Sequence, residues 1–241
     1  MGATLTWFGH ATFRLVLADG RVVMIDPWLT DNPACPASLK KLSRCDLILL
    51  THGHSDHVGD VQALAEAFHP TIVGNFDLCS TLGRQIPKGR FSPMNTGGTQ
   101  SIDGVRVSLT IAFHSSAVST PQGLVYAGMP NGVVVASEGL ATVYHAGDTD
   151  VFSDMKLIAQ LHRPAICILP IGDHFTMGPK GAALAAEMLD SQAIVPCHYK
   201  TFPILTQSAD VFRQALPERL RGRLAVPQVG EALPWTAEGL G

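Results

Sequence analysis

Short apolar or alternating segments, punctuated by glycine, fill the first fifty residues. Thr4–Phe8, Thr12–Leu17 and Arg21–Asp26 each have the length and pattern of a strand, and Asp19-Gly20 supplies a hairpin turn between the last two. Asp46–Leu50 runs apolar without alternation, as a strand covered on both faces does. Beyond a loop at 51–57, Val58–Phe68 carries apolar residues at helical spacing and stops before Pro70. Thr71–Gly74 then reads as strand and Leu78–Gln85 as a short helix. The second half repeats the theme. Strands are expected at Val105–Ala112, Val133–Ser137 and Thr142–His145, with Asn131-Gly132 read as a hairpin turn. Helices Asp154–Leu161 and Gly181–Leu189 alternate with strands Ala165–Leu169 and Ile194–His198. A last helix, Ala209–Leu216, precedes strand Leu224–Val226. Two β-rich halves, each ending in β–α units, predict an α/β fold: two β-sheets packed face to face with helices outside. No repeat or linker divides the chain, so residues 1–241 are expected to form a single domain.

Composition narrows the classes. Apolar residues make up 46% of the 241 positions and charged residues only 15%, which describes a packed, loop-rich globule. Net charge is −3 and no basic run exceeds Lys40-Lys41, so there is no stripe to grip nucleic acid. Five cysteines (35, 45, 79, 167 and 197) show no C-x-x-C spacing and are expected as reduced, mostly buried thiols. The first residues lack a charged head followed by an apolar stretch, and no apolar run nears the ~20 residues of a membrane span. A cytoplasmic protein without a membrane partner is the expectation.

The chemistry concentrates in Thr51-His52-Gly53-His54-Ser55-Asp56-His57, between a buried strand and a helix. Four candidate ligands in six residues need a loop that turns several side chains into one space, and Gly53 gives that loop freedom. His52 and His54, two apart, share a side of an extended backbone. Asp56 and His57 can turn together toward a second centre. Imidazole and carboxylate suit zinc and its neighbours, and two such ions need roughly six to eight ligands. Three further candidates stand at strand ends: His114, Asp148 and His198.

This H-x-H-x-D-H run, followed by His, Asp and His, resembles the metallo-β-lactamase superfamily, and the likeness covers essentially the whole chain. Trp7-Phe8-Gly9-His10, Ile25-Asp26-Pro27, Ala112-Phe113-His114-Ser115-Ser116, Tyr144-His145-Ala146-Gly147-Asp148-Thr149, Phe175-Thr176-Met177-Gly178-Pro179 and His198-Tyr199 narrow it. They are similar to small metal-dependent hydrolases related to L-ascorbate-6-phosphate lactonase. The resemblance implies a four-layer αβ/βα sandwich. It puts one metal on His52, His54 and His114 and a second on Asp56, His57 and His198, with Asp148 bridging both. It also implies catalysis by Asp56 and Asp148 through a metal-bridging hydroxide that cleaves a small ester, lactone or phosphodiester. The two divalent ions would be zinc, with manganese, nickel and iron as alternatives that ligand type separates weakly. His at position 54, where redox-active di-iron relatives carry Glu, favours hydrolysis.

Around this core, Asp26 is expected to accept a proton from a ligand imidazole. His10 faces either the substrate or a structural hydrogen bond, and the resemblance places Asp173 and His174 at the pocket. Lys200 departs from the small polar residue expected there. It is either an exposed lysine or, if the strand continues past His198, a contact for an anionic substrate. His145 reads as a satisfied buried imidazole, and Cys197 points away from His198. Two competing functions are a mononuclear iron oxidoreductase of the sulfur dioxygenase type and a non-catalytic metal-binding protein. A small molecule is the expected partner, and the apolar loops at 115–135 could join copies into a homo-oligomer.

Overall fold

The computed structural model describes residues 2–241. In chain order its strands are β1 (Thr4–Trp7), β2 (Phe13–Val16), β3 (Val22–Ile25), β4 (Leu47–Leu49), β5 (Thr71–Asn75), β6 (Arg90–Met94), β7 (Thr99–Ile102) and β8 (Val105–Ile111). They continue with β9 (Ala117–Thr120), β10 (Gly123–Tyr126), β11 (Asn131–Ser137), β12 (Val143–His145), β13 (Ile166–Pro170), β14 (Ala193–Cys197) and β15 (Ala232–Pro234). The α-helices are α1 (Ser55–Val58), α2 (Val61–Phe68), α3 (Phe76–Gln85), α4 (Met155–His162), α5 (Pro179–Leu189), α6 (Ala209–Ala215) and α7 (Glu218–Arg221).

One sheet has seven strands in the order β15-β1-β2-β3-β4-β5-β6, the other six in the order β14-β13-β12-β11-β8-β7. Their strands show why the sequence lacks clean alternation. In β3, Val23 and Ile25 enter the core shared by the two sheets, while Val22 and Met24 pack under the outer helices. Leu47 and Leu49 take the inner face and Ile48 and Leu50 the outer one. Both faces are apolar because both are covered, α2 and α3 lying over the first sheet. On the second sheet, Met155, Ile158, Ala182, Ala186 and Phe212 bring α4, α5 and α6 into the main core. The result is the four-layer αβ/βα sandwich.

Several elements differ from expectation. The helix at Val58–Phe68 is two helices, because Asp60 is tied elsewhere. Its Oδ2 accepts the Leu29 and Thr30 N–H groups at 2.5 and 3.0 Å and holds the chain out of helical geometry at that point. Asn131-Gly132 is no turn but the start of β11, paired with Ile111 and Thr110. Glycine is required there by crowding, since a Cβ would lie 2.7 Å from the Tyr144 ring. The strand ending at His198 stops at Cys197, and His198 itself takes φ +53. Leu224–Val226 supplies only a single bridge, Leu224 to Ile194. Strands β6, β7, β9, β10 and β15 carried no readable pattern because they are short, lie at edges or stand in a two-stranded hairpin, and are partly exposed. Among the described residues no helix is long and apolar enough to cross a membrane.

All five cysteines are free and buried. Burial pushes the Cys35 thiol up to about 11, those of Cys45, Cys79 and Cys167 to about 12, and that of Cys197 well above its ordinary value. Only the thiolate reacts, so at pH 8 a thiol titrating near 12 offers about one reactive molecule in 10⁴. Dithionitrobenzoate at pH 8 is therefore expected to label none of the five in the native protein and all five in denaturant. Prompt native labelling of any of them would show that its cover opens.

Candidate metal centre

The strands deliver their polar residues to one rim. Asp26 follows β3, His52 and His54 follow β4, His114 follows β8, Asp148 follows β12 and His198 follows β14. His10 reaches the same rim from the turn after β1. The two sheets are joined there by backbone hydrogen bonds, Asn131 N–H to Thr51 O at 2.9 Å and His198 N–H to His10 O at 2.9 Å. His10, Asp26 and His198 all have positive φ, between +47 and +54. Non-glycine residues avoid that region, and such strain gathers at functional sites. Gly53 serves by leaving space: a Cβ there would lie 2.8 Å from Val118 and 3.1 Å from the Ala117 carbonyl.

Asp26 organises the base of the site. It is fully buried and accepts the Thr51 N–H at 2.8 Å, the Thr51 hydroxyl at 2.6 Å and His57 Nδ1–H at 2.7 Å. Because the Thr51 hydroxyl proton goes to Asp26, Thr51 Oγ1 is free to accept His52 Nδ1–H at 3.0 Å. One carboxylate thus sets two tautomers, leaving the Nε2 lone pairs of His52 and His57 aimed into the site. His57 Nε2 is buried and has no hydrogen-bond partner, and neither has Asp148 Oδ1.

The donor atoms form two nests. His52, His54 and His114 bring theirs within 4.8 Å of one another, with His54 Nδ1 at 2.9 Å from His52 Nε2 and 3.3 Å from His114 Nε2. Asp56, His57, His198 and His10 form the second nest. Asp148 Oδ2 lies between the two, 3.1 Å from His198 Nε2, 3.4 Å from His57 Nε2, 3.6 Å from His114 Nε2 and 4.0 Å from His52 Nε2. His10 differs from its neighbours. Asp56 can only accept, so His10 Nε2–H donates to Asp56 Oδ2 at 3.0 Å, and Nδ1 accepts from the Thr201 hydroxyl at 2.9 Å. With Nε2 protonated, His10 holds Asp56 rather than offering a lone pair.

Charge follows from this packing. Burial, reinforced by neighbouring imidazoles, holds His52, His54 and His114 below the ordinary histidine range. Burial also lowers His10, to about 4, partly offset by Asp56. Burial alone would lower His57 too, but Asp148 and Asp26 outweigh it and raise it. Burial would raise Asp148, but His198 and His57 outweigh that and hold it well down. A buried centre with His52, His54 and His114 held below the ordinary histidine range, Asp148 held well down and unpartnered atoms at His57 Nε2 and Asp148 Oδ1 has the chemistry of a divalent-metal cradle.

The seven residues expected as ligands therefore converge, and Asp26 and His10 back them. Three others stand apart. Asp173 and His174 are exposed, and Phe175 of the same loop reaches the cavity instead. Lys200 is exposed and off the cavity wall, because positive φ at His198 and Lys200 breaks the extended geometry that would have aligned their side chains. His145 is satisfied by the Ala11 carbonyl and the Gly147 N–H. Sequence reasoning missed the linking hydroxyls of Thr51 and Thr201, although Thr51 adjoins the histidine run.

The profile of the beta-lactamase superfamily domain matches residues 21–199. The chain is 45% identical to a UPF0173 metal-dependent hydrolase of Azorhizobium caulinodans, over 95% of this chain and 98% of that protein. It is 45% identical to another from Koribacter versatilis, over 85% and 88%. Among solved structures it is similar to a metallo hydrolase of the archaeon Ignicoccus hospitalis, with TM-score 0.85, 32% identity and coverage of 97% and 98%.

Asp26→Ala removes the acceptor of three buried donors. It is expected to cost on the order of 3–5 kcal/mol in denaturant unfolding of the metal-free protein, with Asp26→Asn costing less. A loss below about 1 kcal/mol for the alanine variant would show that Asp26 does not organise the base of the site.

Proposed function

The chain belongs to the UPF0173 metal-dependent hydrolases of the beta-lactamase superfamily, and on that premise we propose that it is a binuclear hydrolase of a small ester, lactone or phosphodiester. The observation that carries this reading is Asp148 Oδ2, placed between two nests of nitrogen and oxygen donors. His52, His54 and His114 would hold one ion, Asp56, His57 and His198 the other, and Asp148 both. Zinc suits these donors best. A divalent pair bound there supplies Lewis acidity toward the electrophile and a water that ionises near neutral pH.

The chain's residues do the rest. Asp56 lines the cavity and is held by His10, so its remaining oxygen can accept a hydrogen bond from the attacking water and fix its direction. Burial would raise its pKa, but His10 and His57 outweigh that and hold it below the usual carboxylate range, which suits orienting a proton more than keeping it. The water adds to the acyl carbon or phosphorus, and the bond to the leaving oxygen breaks. Asp26 and Thr51 keep His57 and His52 from rotating as charge shifts. One-iron redox chemistry would leave half of these donors without a role. Five unpaired thiols support a reducing compartment, and we place the protein in the cytoplasm on that ground.

Zinc-reconstituted protein should hydrolyse at least one of a nitrophenyl ester, a γ-lactone and bis-nitrophenyl phosphate. Asp148→Ala should cut kcat/KM by roughly 10³-fold or more and lower bound metal below two per chain, measured by elemental analysis. Two bound ions and undiminished turnover in that variant would refute the bridging role. Loss of His10 should weaken the second ion about 10- to 100-fold in a calorimetric metal titration of His10→Ala, leaving the first unchanged. His10→Gln, which can keep an N–H toward Asp56, should recover part of that loss; equal affinities in all three proteins would remove His10 from this role.

A further inference from the structure

A cavity of about 360 Å³ opens off the donor nests. Its inner wall is His54, Asp56, His114, Asp148 and His198, and its outer wall includes Leu124 and Phe175. These two come from unrelated elements, Leu124 from the β9–β10 hairpin and Phe175 from the loop after β13. They are 78% and 56% exposed, so each leaves a large apolar surface in water beside a polar centre. Many apolar side chains are exposed on this surface, but these two line the cavity that holds the donors, so a ligand bound there can cover them.

Charge points the same way. A carboxylate or phosphate on the distal part of a substrate needs Arg, Lys or a comparable donor cluster to replace its water. Among the described residues none of the side chains around this cavity is Lys or Arg, and its only carboxylates are Asp56 and Asp148. Lys200, the one cation near His198 in sequence, is exposed and off the wall. The remaining polar groups, Ser55, Ser115 and Ser119, are neutral hydroxyls. The volume sits at the low end of small-molecule sites, which run from about 300 to 1,000 Å³.

We propose that the substrate carries, beyond its reacting bond, a short uncharged apolar group that seats against Leu124 and Phe175, making these two residues determinants of specificity. This rests on the hydrolytic reading of the same cavity and selects within it. Esters or lactones of short aliphatic acids fit, and substrates with a second anionic group do not.

The test is calorimetric binding of three carboxylates to the zinc-loaded protein: acetate, hexanoate and adipate. All share the head group that the centre would hold as product. Hexanoate should bind about tenfold tighter than acetate, since each buried methylene adds, while adipate should gain little over acetate. Leu124→Ala and Phe175→Ala, both at exposed positions where folding is not at risk, should each shrink the hexanoate advantage to about threefold. Leu124→Lys should shift preference toward adipate. Binding needs no turnover, so the two readings fail separately. A protein that discriminates these acids but hydrolyses no ester keeps the apolar seat and loses the hydrolase. One that cleaves nitrophenyl acetate, hexanoate and adipate monoesters equally well keeps the hydrolase and loses the seat. Equal affinity for the three acids, no measurable hexanoate binding, or an unchanged ratio in both alanine variants would overturn the proposal.

Discussion

Asp26 is sealed from water, so its lone pairs are answered by the chain itself: the Thr51 amide, the Thr51 hydroxyl and His57 Nδ1. That arrangement propagates outward. A carboxylate fixed in position fixes the proton of Thr51, which fixes the tautomer of His52, while the direct bond fixes that of His57. Without this acceptor a buried imidazole could present either nitrogen, and the two Nε2 lone pairs would have no reason to point the same way. Asp148 Oδ2 faces the same space, with His198 and His57 Nε2 the groups nearest it, at 3.1 and 3.4 Å.

The fold supplies what this network cannot supply for itself. His10, Asp26 and His198 hold left-handed backbone conformations that cost each of them energy locally. Each directly or closely follows a strand buried in the shared core, so the strands hold the strained residues in place. The cross-sheet bonds at Thr51 and at His10 then lock the two sheets at the rim where the donors meet. The residues of the site, drawn from six separate segments, are pre-positioned by apolar packing, and the entropy of gathering them is met on folding.

How much of this was legible in the sequence follows from what each residue does. The strands around the site were readable because both their faces are covered, which writes an uninterrupted apolar run at Leu47–Leu50 and Ile166–Leu169. The donor run at 52–57 was readable because few other arrangements put four ligand types into six residues. The edges were not: β6 and β7 alternate weakly and are partly exposed, and the β9–β10 hairpin stands apart from both large sheets. The break at Asp60 was hidden because its cause lies thirty residues away in sequence, at Leu29 and Thr30. Of the two readings of Lys200 the exposed lysine holds, because the substrate contact needed an extended geometry that positive φ at His198 cancels. Local pattern reveals elements and ligand types, and it is silent where a distant partner or a strained backbone decides.

The same division separates reactivity from selectivity. The donors sit at or just past the ends of buried strands, with His52 and His57 tied to Thr51 and Asp26, so a change there disturbs the hydrogen bonds at the base of the site. Leu124 and Phe175 reach the cavity from an exposed hairpin and an exposed loop, and more than half of each side chain faces solvent. Replacing them alters what the cavity can bury while leaving the bonds among the donors intact. A scaffold arranged in this way can keep one hydrolytic centre while its loops change the substrate. It follows that the donor run marks the metal-binding chemistry of such a chain, whereas its selectivity is to be sought in the few side chains that the core does not constrain.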